Sequence, residues 1–337
     1  MFSLFEKTHG AINFAQYDSK ASLLSPPFYI PGGHAYESMN SFGTFFYQQI
    51  EQKHFTIWKS IYIPNENISL RVKRNKKWIG FRLMLKKHIT HVANGRLFGI
   101  MQGQAIFSYA PITDVEFYLK KDQVYEVVDM QVSPILLQNI KMRSKAFQTL
   151  FSAVEQNKHG WVSEKPAWGG YLLLDKMEYL LLDPTKENVA QEIVGQIITA
   201  LSQNDEYDKK ITYDQVENLY KVRELIRSQY NESMSLRQWA KEARMNTTDF
   251  KYKFRQIFNV TPYRLLMYER IKAAKDIMLN EPDVPLSVVS VRSGFRTYNN
   301  LRRAFYRIEN IRLSEWRNLP ALILFQCLWD LIPGDVI

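Results

Sequence analysis

From about Phe45 to Val132 the chain alternates apolar and polar positions in short runs. FFYQQI, FTIWKSIYI, ISLRVK, KWIGFRLML, QAIFSY, VEFYL and VYEVVDMQV are rich in aromatic and β-branched residues, the composition and period of strands half buried in a sheet. Strands at this spacing predict a sandwich or small barrel. Asn65, Asn75, Asn94 with Gly95, and Asp114 are expected at turns, because Asn and Gly tolerate positive φ and Asp bonds back to its own backbone. At Ser133-Pro134 the period becomes helical: a serine cap and a proline at the first helical position open SPILLQNIKMRSKAFQTLFSAVEQ. Leu137, Ile140, Phe147, Leu150, Phe151 and Val154 then fall along one side. The loop GWVSEKPAWGG leads to YLLLDKMEYLLL and to ENVAQEIVGQIITAL, where Val189, Ile193, Ile197, Ile198 and Leu201 again keep helical spacing. The polar run QNDEYDKK, Gln203 to Lys210, marks a domain boundary.

Beyond one more helix (Leu219, Val222, Ile226) come two stretches of the same kind, each a short helix, a tight turn and a second helix. In the first, Leu236, Trp239 and Ala240 form an apolar stripe and Asn246 caps the next helix. There TTDFKYKFRQIF sets Phe250, Phe254, Ile257 and Phe258 on one face and Thr248, Lys251, Tyr252 and Arg255 on the other. In the second, Leu286, Val288 and Val289 make the stripe and Gly294-Phe295 turns. RTYNNLRRAFYR then buries Leu301 and Phe305 and shows Arg296, Asn299, Asn300, Arg303 and Arg307 outward. A helix entering a major groove needs buried anchors on one side and hydrogen-bonding side chains on the other. Asn can bond adenine and Arg or Lys guanine, while other cations and hydroxyls hold phosphates. PYRLLMYERIKAAKDIML, capped by Thr261-Pro262, is a rigid spacer between the two units. No internal repeat or low-complexity tract is evident in the letters themselves.

Charge sharpens this picture. The 337 residues carry a net charge of +10, and residues 216–317 hold 20 Lys and Arg against 11 Asp and Glu, while the other 235 hold 24 against 23. The excess is confined to the paired-helix block, the footprint of a part that docks on phosphates. The length predicts two domains. The single cysteine, Cys327, forms no internal disulfide, and the six histidines make no familiar zinc spacing. The start MFSLFEKTHGAINFAQ is unlike a signal peptide, and the apolar tail Leu319 to Ile337 is interrupted by Asp330 and Pro333. A cytoplasmic protein that neither crosses nor binds a membrane is expected, the tail serving as a docking segment.

The block from about Val216 to Arg317 resembles the AraC/XylS-type bacterial transcription regulators. The resemblance rests on SLRQWAKEARM followed by Asn246, on Phe254 and the turn NVTP (Asn259 to Pro262), on YERIKAAKDIML, and on SVVSVRSGF, LRRAF and SEWR up to Arg317. Arg244, Asn259 and Asn310 stand where the family has glycine, and Arg312-Leu313 where it has Thr-Pro. The resemblance implies an N-terminal effector-binding or dimerisation domain, often a cupin-like barrel followed by helices, and residues 45–204 keep that order. KKDQVYEVVDMQVSPILLQNI is similar to sensor domains of a Bacteroidetes-type branch.

The expected fold is therefore α+β and multidomain. A sensing and dimerisation domain occupies 1–204, with a cupin-like β-barrel over about 45–132 and flanking helices over about 133–204. A linker (205–215), an all-α DNA-binding domain with two helix-turn-helix units (216–317) and the apolar tail (318–337) follow. The expected function is sequence-specific binding of double-stranded promoter DNA by an effector-responsive activator, a homodimer that recruits RNA polymerase and answers a small molecule of unknown identity. No catalytic, cofactor or metal site is expected. Two alternatives stay open: a constitutive DNA-binding protein whose N-terminal domain only dimerises, and a barrel enzyme tethered to DNA. The run RVKRNKKWIGFRLMLKK, Arg71 to Lys87, with eight cations and no acid, is expected as an edge hairpin guarded by lysines. Contact with an anionic effector or with DNA is the other reading. His88 and His91, three apart in a strand, face opposite sides and are not expected to share a metal. Trp161 and Trp168 either lid a pocket or pack the loop.

Overall fold

The computed structural model describes residues 3–16, 30–93, 96–138, 145–203 and 211–319. The chain divides into two units, 1–213 and 214–337. In the first unit the strands are β1 (Ser3–Glu6), β2 (Gly10–Ala11), β3 (Ala15–Gln16), β4 (His34–Asn40), β5 (Gly43–Glu51), β6 (Phe55–Pro64) and β7 (Ile68–Arg74). They continue with β8 (Trp78–Lys86), β9 (Ile89–Ala93), β10 (Arg96–Ile100), β11 (Gln104–Ala110), β12 (Thr113–Leu119) and β13 (Tyr125–Val132). Then come α1 (Pro134–Gln138), α2 (Lys145–Glu155), β14 (Gly160–Trp161), β15 (Ala167–Trp168), α3 (Gly170–Leu182) and α4 (Glu187–Ser202).

One sheet runs β10-β9-β12-β7-β1-β2 and the other β14-β11-β8-β13-β6-β5-β4-β3, with β15 also on β11. All described pairings are antiparallel. Alternate residues of β5 and β13 are buried, as a strand with one face on a core requires. Phe45, Leu70, Met84, Ile100, Phe117 and Val127 belong to the core that the two sheets enclose. This is the cupin-like plan, built as two facing sheets with no ladder joining them among the described strands. Helix α4 packs on α3, β11 and β15, and Val189, Ile193, Ile197, Ile198 and Leu201 are all buried.

The run from Arg71 to Lys87 is not an edge hairpin. β7 lies between β12 and β1 in one sheet, whereas β8 lies between β11 and β13 in the other, so the residues between them cross from sheet to sheet. In each sheet a cross-strand carboxylate pairs with an arginine of this run. Arg71 donates two hydrogen bonds to Asp114 (2.6 and 2.7 Å) and Arg82 two to Asp129 (2.8 and 2.9 Å). Asp114, expected at a turn, is consequently a strand residue opposite Lys73 in the β12–β7 register. Strands β1 to β4, β9 and β10 lie outside the predicted set; HITHV and RLFGI carry too few strand-typical residues in a row to stand out. The helix predicted from Ser133 is described as α1 and α2, residues 139–144 lying outside the described set, as do the turn Asn94-Gly95, most of the boundary run and nearly all of the tail.

The second unit is helical: α5 (Tyr213–Ser228), α6 (Leu236–Glu242), α7 (Thr247–Phe258), α8 (Pro262–Asn280), α9 (Leu286–Arg292), α10 (Tyr298–Glu309) and α11 (Leu313–Arg317). The first residue of α5 is assigned to the preceding unit. Ser235 accepts the Gln238 N–H and the Gln238 side chain accepts the Ser235 N–H, a full capping box. Thr261 caps α8, with Pro262 in its first turn. Trp239, Phe250, Phe254, Phe258, Leu265, Leu301, Phe305 and Trp316 are each at most 1% exposed and form the interior. Truncating any one of the phenylalanines costs about 3–5 kcal/mol. Val288, expected in the apolar stripe of α9, is 40% exposed. The α-helical period carries the buried side from Leu286 to Val289 and Ser290 instead, and Val288, two residues on from Leu286, points away.

Candidate nucleic-acid interface and inter-sheet cavity

The two helix pairs are built on one scheme. The caps of α7, Asn246 and Asn259, and those of α10, Thr297 and Asn310, are offset by 51 positions. Asn246 accepts the Asp249 N–H at 2.9 Å, and Thr297 accepts the Asn300 N–H at 3.2 Å. Asn259 and Asn310 take the left-handed conformation at φ 54° and 53°, which Asn tolerates better than most residues. The turns before the helices also need positive φ: Arg244 has φ 55° and Gly294 φ 82°. Because Gly294 lies three residues before its cap and Arg244 only two, the offset is 50 before the turn and 51 after it. That shift hides the duplication from a comparison of letters.

Thr248, Lys251, Tyr252 and Arg255 are exposed on α7, opposite Phe250, Phe254 and Ile257. Arg296, Asn299, Asn300, Arg303 and Arg307 are likewise exposed at and along α10, opposite Leu301 and Phe305. The structural offset adds two residues that the sequence reading passed over. Lys251 and Arg255 correspond to Arg302 and Tyr306, both exposed, Tyr306 at 53%. The signal was available in the matching caps. Arg307 corresponds instead to Gln256, which is buried, so it lies at the margin of the shared face. Asp249 belongs to the cap: its carboxylate accepts the Asn246 side-chain N–H at 2.8 Å and lies at the positive end of the helix dipole.

The scaffold under this surface is pinned by arginines. Arg270 of α8 donates to the Tyr230 and Glu232 carbonyls at 2.7 and 3.0 Å. Arg317 donates to the Val284 carbonyl at 2.7 Å and to that of Pro282. Lys275 and Glu309 form a buried ion pair at 2.6 Å between α8 and α10. At 19 residues, α8 is about 28 Å long at 1.5 Å per residue.

In the other unit a cavity of about 130 Å³ lies between the sheets, its lining including Trp58, Tyr62, Arg74, Arg82, His91 and Trp161. Trp161 thus faces the cavity, whereas the Trp168 indole donates to the Gln102 carbonyl and pins the loop. His91 is 4% exposed and its Nδ1 has no hydrogen-bond partner. Burial, aided by the positive charge of Arg82, pushes its pKa down to about 3, so the ring is neutral near pH 7. No group of three or more His, Cys, Asp or Glu suited to a metal ion occurs among the described residues. No helix among them is long and apolar enough to cross a membrane.

Paired helix-turn-helix units with basic outer faces define a DNA-binding transcription regulator, and residues 239–319 match the family model described as a helix-turn-helix domain. That match covers most of the segment whose motif, from SLRQWAKEARM to SEWR, is similar to that of AraC/XylS-type transcription regulators. No curated protein matches the chain. Among solved structures it is similar to the DNA-binding domain of AdpA, a global transcriptional factor in complex with a target DNA. That likeness has 25% identity and a TM-score of 0.28, over 30% of this chain and 89% of that one. It is also similar to the AraC-like transcriptional activator CuxR (11% identity, TM-score 0.33, 63% of this chain and 74% of that one). A third is unsaturated fatty acid-bound ToxT from Vibrio cholerae (11% identity, TM-score 0.30, 86% of this chain and 99% of that one).

Proposed function

We propose that α7 and α10 enter successive major grooves on one face of promoter DNA. Thr248, Lys251, Tyr252 and Arg255 serve as contacts of the first unit, and Arg296, Asn299, Asn300, Arg303 and Arg307 as those of the second. The observation that carries this reading is the recurrence of one capped helix, with a buried aromatic side and an exposed polar side, at both ends of the rigid α8. Successive grooves on one face are about 34 Å apart, a span that α8 and its flanking turns suit. In this reading the DNA-binding domain is 216–317, and 1–204 senses a small effector and dimerises. The regulator acts in the cytoplasm as an activator that recruits RNA polymerase. The inter-sheet cavity supports a sensing role over a purely dimerising one. An effector changes how the N-terminal domains present two DNA modules, and so their effective concentration at paired half-sites.

The test is selection from a pool of random double-stranded DNA at about 0.15 M salt, where phosphate contacts are screened to a physiological degree. Wild type is compared with Asn300→Ala/Arg303→Ala. A motif of two blocks one helical turn apart, with one block relaxed in the variant, is the expected result. Sequence-blind, salt-sensitive binding by both proteins would refute it.

A further inference from the structure

The second unit presents one aliphatic patch to water. Its exposed large apolar side chains among the described residues are Val288, Val291, Tyr252, Tyr263 and Tyr306. The tyrosines each carry a hydroxyl that water can satisfy, and Tyr252 and Tyr306 lie on the recognition helices. Val288 and Val291 have no polar side-chain atom. They stand three apart on α9 and so lie side by side on its outer face, Val291 at 66% exposure, while Val289 and Ser290 turn inward and are buried. β-Branched residues are among the weaker helix formers, so two of them facing water on a seven-residue helix gain from neither helix propensity nor burial. The patch does not suit phosphate: its side chains offer no donor, and the adjacent Arg292 is held by Glu281 through two hydrogen bonds of 2.6 and 2.8 Å.

We infer that the apolar tail, residues 320–337, docks on this face of α9 as a strap across the first helix of the second helix-turn-helix unit. The tail starts close to it. Arg317, at the end of α11, donates to the carbonyls of Pro282 and Val284, residues of the turn that leads into α9. From Val284 to Val291 is at most about 15 Å, at 1.5 Å per helical residue and about 3.5 Å per extended one. About five extended residues span that distance, and 18 follow Leu319. Their chemistry matches the patch: ALILFQCLW, 321 to 329, is uncharged and mostly aliphatic or aromatic, a run that costs free energy wherever it faces water. Tethering also selects the occupant. Two valines fall far short of the roughly 800 Å² per partner of a stable interface between separate molecules, so a second copy gains too little from them. A segment joined a few residues away acts at an effective concentration in the millimolar range, where a small apolar contact suffices.

The chain's single cysteine, Cys327, lies in this run and serves as the probe. In the full-length protein, Val291→Cys is combined with the tail thiol at its native place or moved to residue 324 (Leu324→Cys/Cys327→Ser), and the protein is oxidised while dilute. An intramolecular disulfide is expected in at least one combination, about tenfold or more above that formed when Tyr306→Cys, a comparably exposed site on α10, replaces Val291→Cys. In wild type, alkylation of Cys327 should be slower by about fivefold or more than in Val288→Lys/Val291→Lys, which removes the apolar face at two exposed positions and leaves the core intact. The inference is overturned if the two sites on α9 and α10 cross-link equally, if Val291→Cys forms no disulfide, or if its disulfides join two chains, which would put a second copy on this face. It is also overturned if wild-type Cys327 is alkylated as fast as in the double variant. Cross-linking and alkylation use different variants, so either decides the question if one protein fails to fold. Neither needs DNA, and a failure of sequence-selective binding would remove the reading of α7 and α10 while leaving the strap standing.

Discussion

Asn259 and Asn310 close the two recognition helices with the same left-handed backbone, φ 54° and 53°, and their backbone N–H groups donate to Arg255 and Tyr306 four residues back. Two Asn residues doing the same work 51 positions apart show that the C-terminal unit is a duplicated design. Replacing either with Ala should destabilise the unit by about 1 kcal/mol, because a left-handed residue with a Cβ and no compensating side chain is strained. Gly at either site should be neutral or mildly stabilising. Urea unfolding of the three proteins measures this, and equal midpoints for Ala and Gly would contradict it.

The turns before those helices make opposite demands on substitution. A Cβ on Gly294 would lie 2.8 Å from both the Asn231 Cα and the Tyr230 carbonyl oxygen, and φ is 82°. Gly294→Ala should therefore cost about 2 kcal/mol or more, combining left-handed strain with overpacking. Arg244 has the left-handed φ but an exposed side chain, so Arg244→Gly should stabilise by up to about 1 kcal/mol. Thermal unfolding of both variants checks the contrast in sign.

Arg302 and Tyr306 occupy the positions on α10 that Lys251 and Arg255 occupy on α7. Arg302→Ala should weaken binding across sequences and lower the salt slope by about one if the contact is to phosphate. If it is to a base, the same change relaxes a single position of the second block at a cost of about 1–3 kcal/mol. Tyr306→Ala should weaken binding while leaving the first block unchanged. Salt-dependent titration on the selected site measures both, and unchanged affinity in the two variants would place the interface elsewhere on α10.

The buried His91 gives the N-terminal unit an acid-sensitive stability. Its folded pKa is depressed to about 3, so below the unfolded value of about 6.5 the unfolded chain takes up a proton that the folded one refuses. Its contribution is thus fully present above about pH 6.5 and declines as pH falls towards 3, by at most about 1.4 kcal/mol per pH unit. His91→Gln should lose part of that acid slope. Unfolding midpoints of wild type and variant between pH 7 and pH 4 test the difference, and parallel curves would show that His91 is not the group responsible.

Much of this protein is legible in its letters wherever the physics is local. Strand alternation, the Ser133-Pro134 and Thr261-Pro262 helix starts, the aromatic stripe Phe250-Phe254-Ile257 and the polar residues opposite it follow from backbone period and capping, which act over a few residues. The confinement of positive charge to 216–317 is likewise plain without coordinates. The equivalence of Arg302 with Lys251 is not, because the second turn is one residue longer and the matching side chains differ.

The partner of each cation between Arg71 and Lys87 was a tertiary matter. Asp114 and Asp129 are 43 and 47 residues away from the arginines they bond, and sheet pairing alone brought them there. The same pairing set Arg74 beside two tryptophans and the Gln131 amide, and buried His91 with an Nδ1 that has no hydrogen-bond partner. Sequence determined which residues could carry charge, cap a helix or fill a core. The tertiary structure decided which charges were neutralised, because burial and distance set the energy of a charge and neither is a property of one position in the chain.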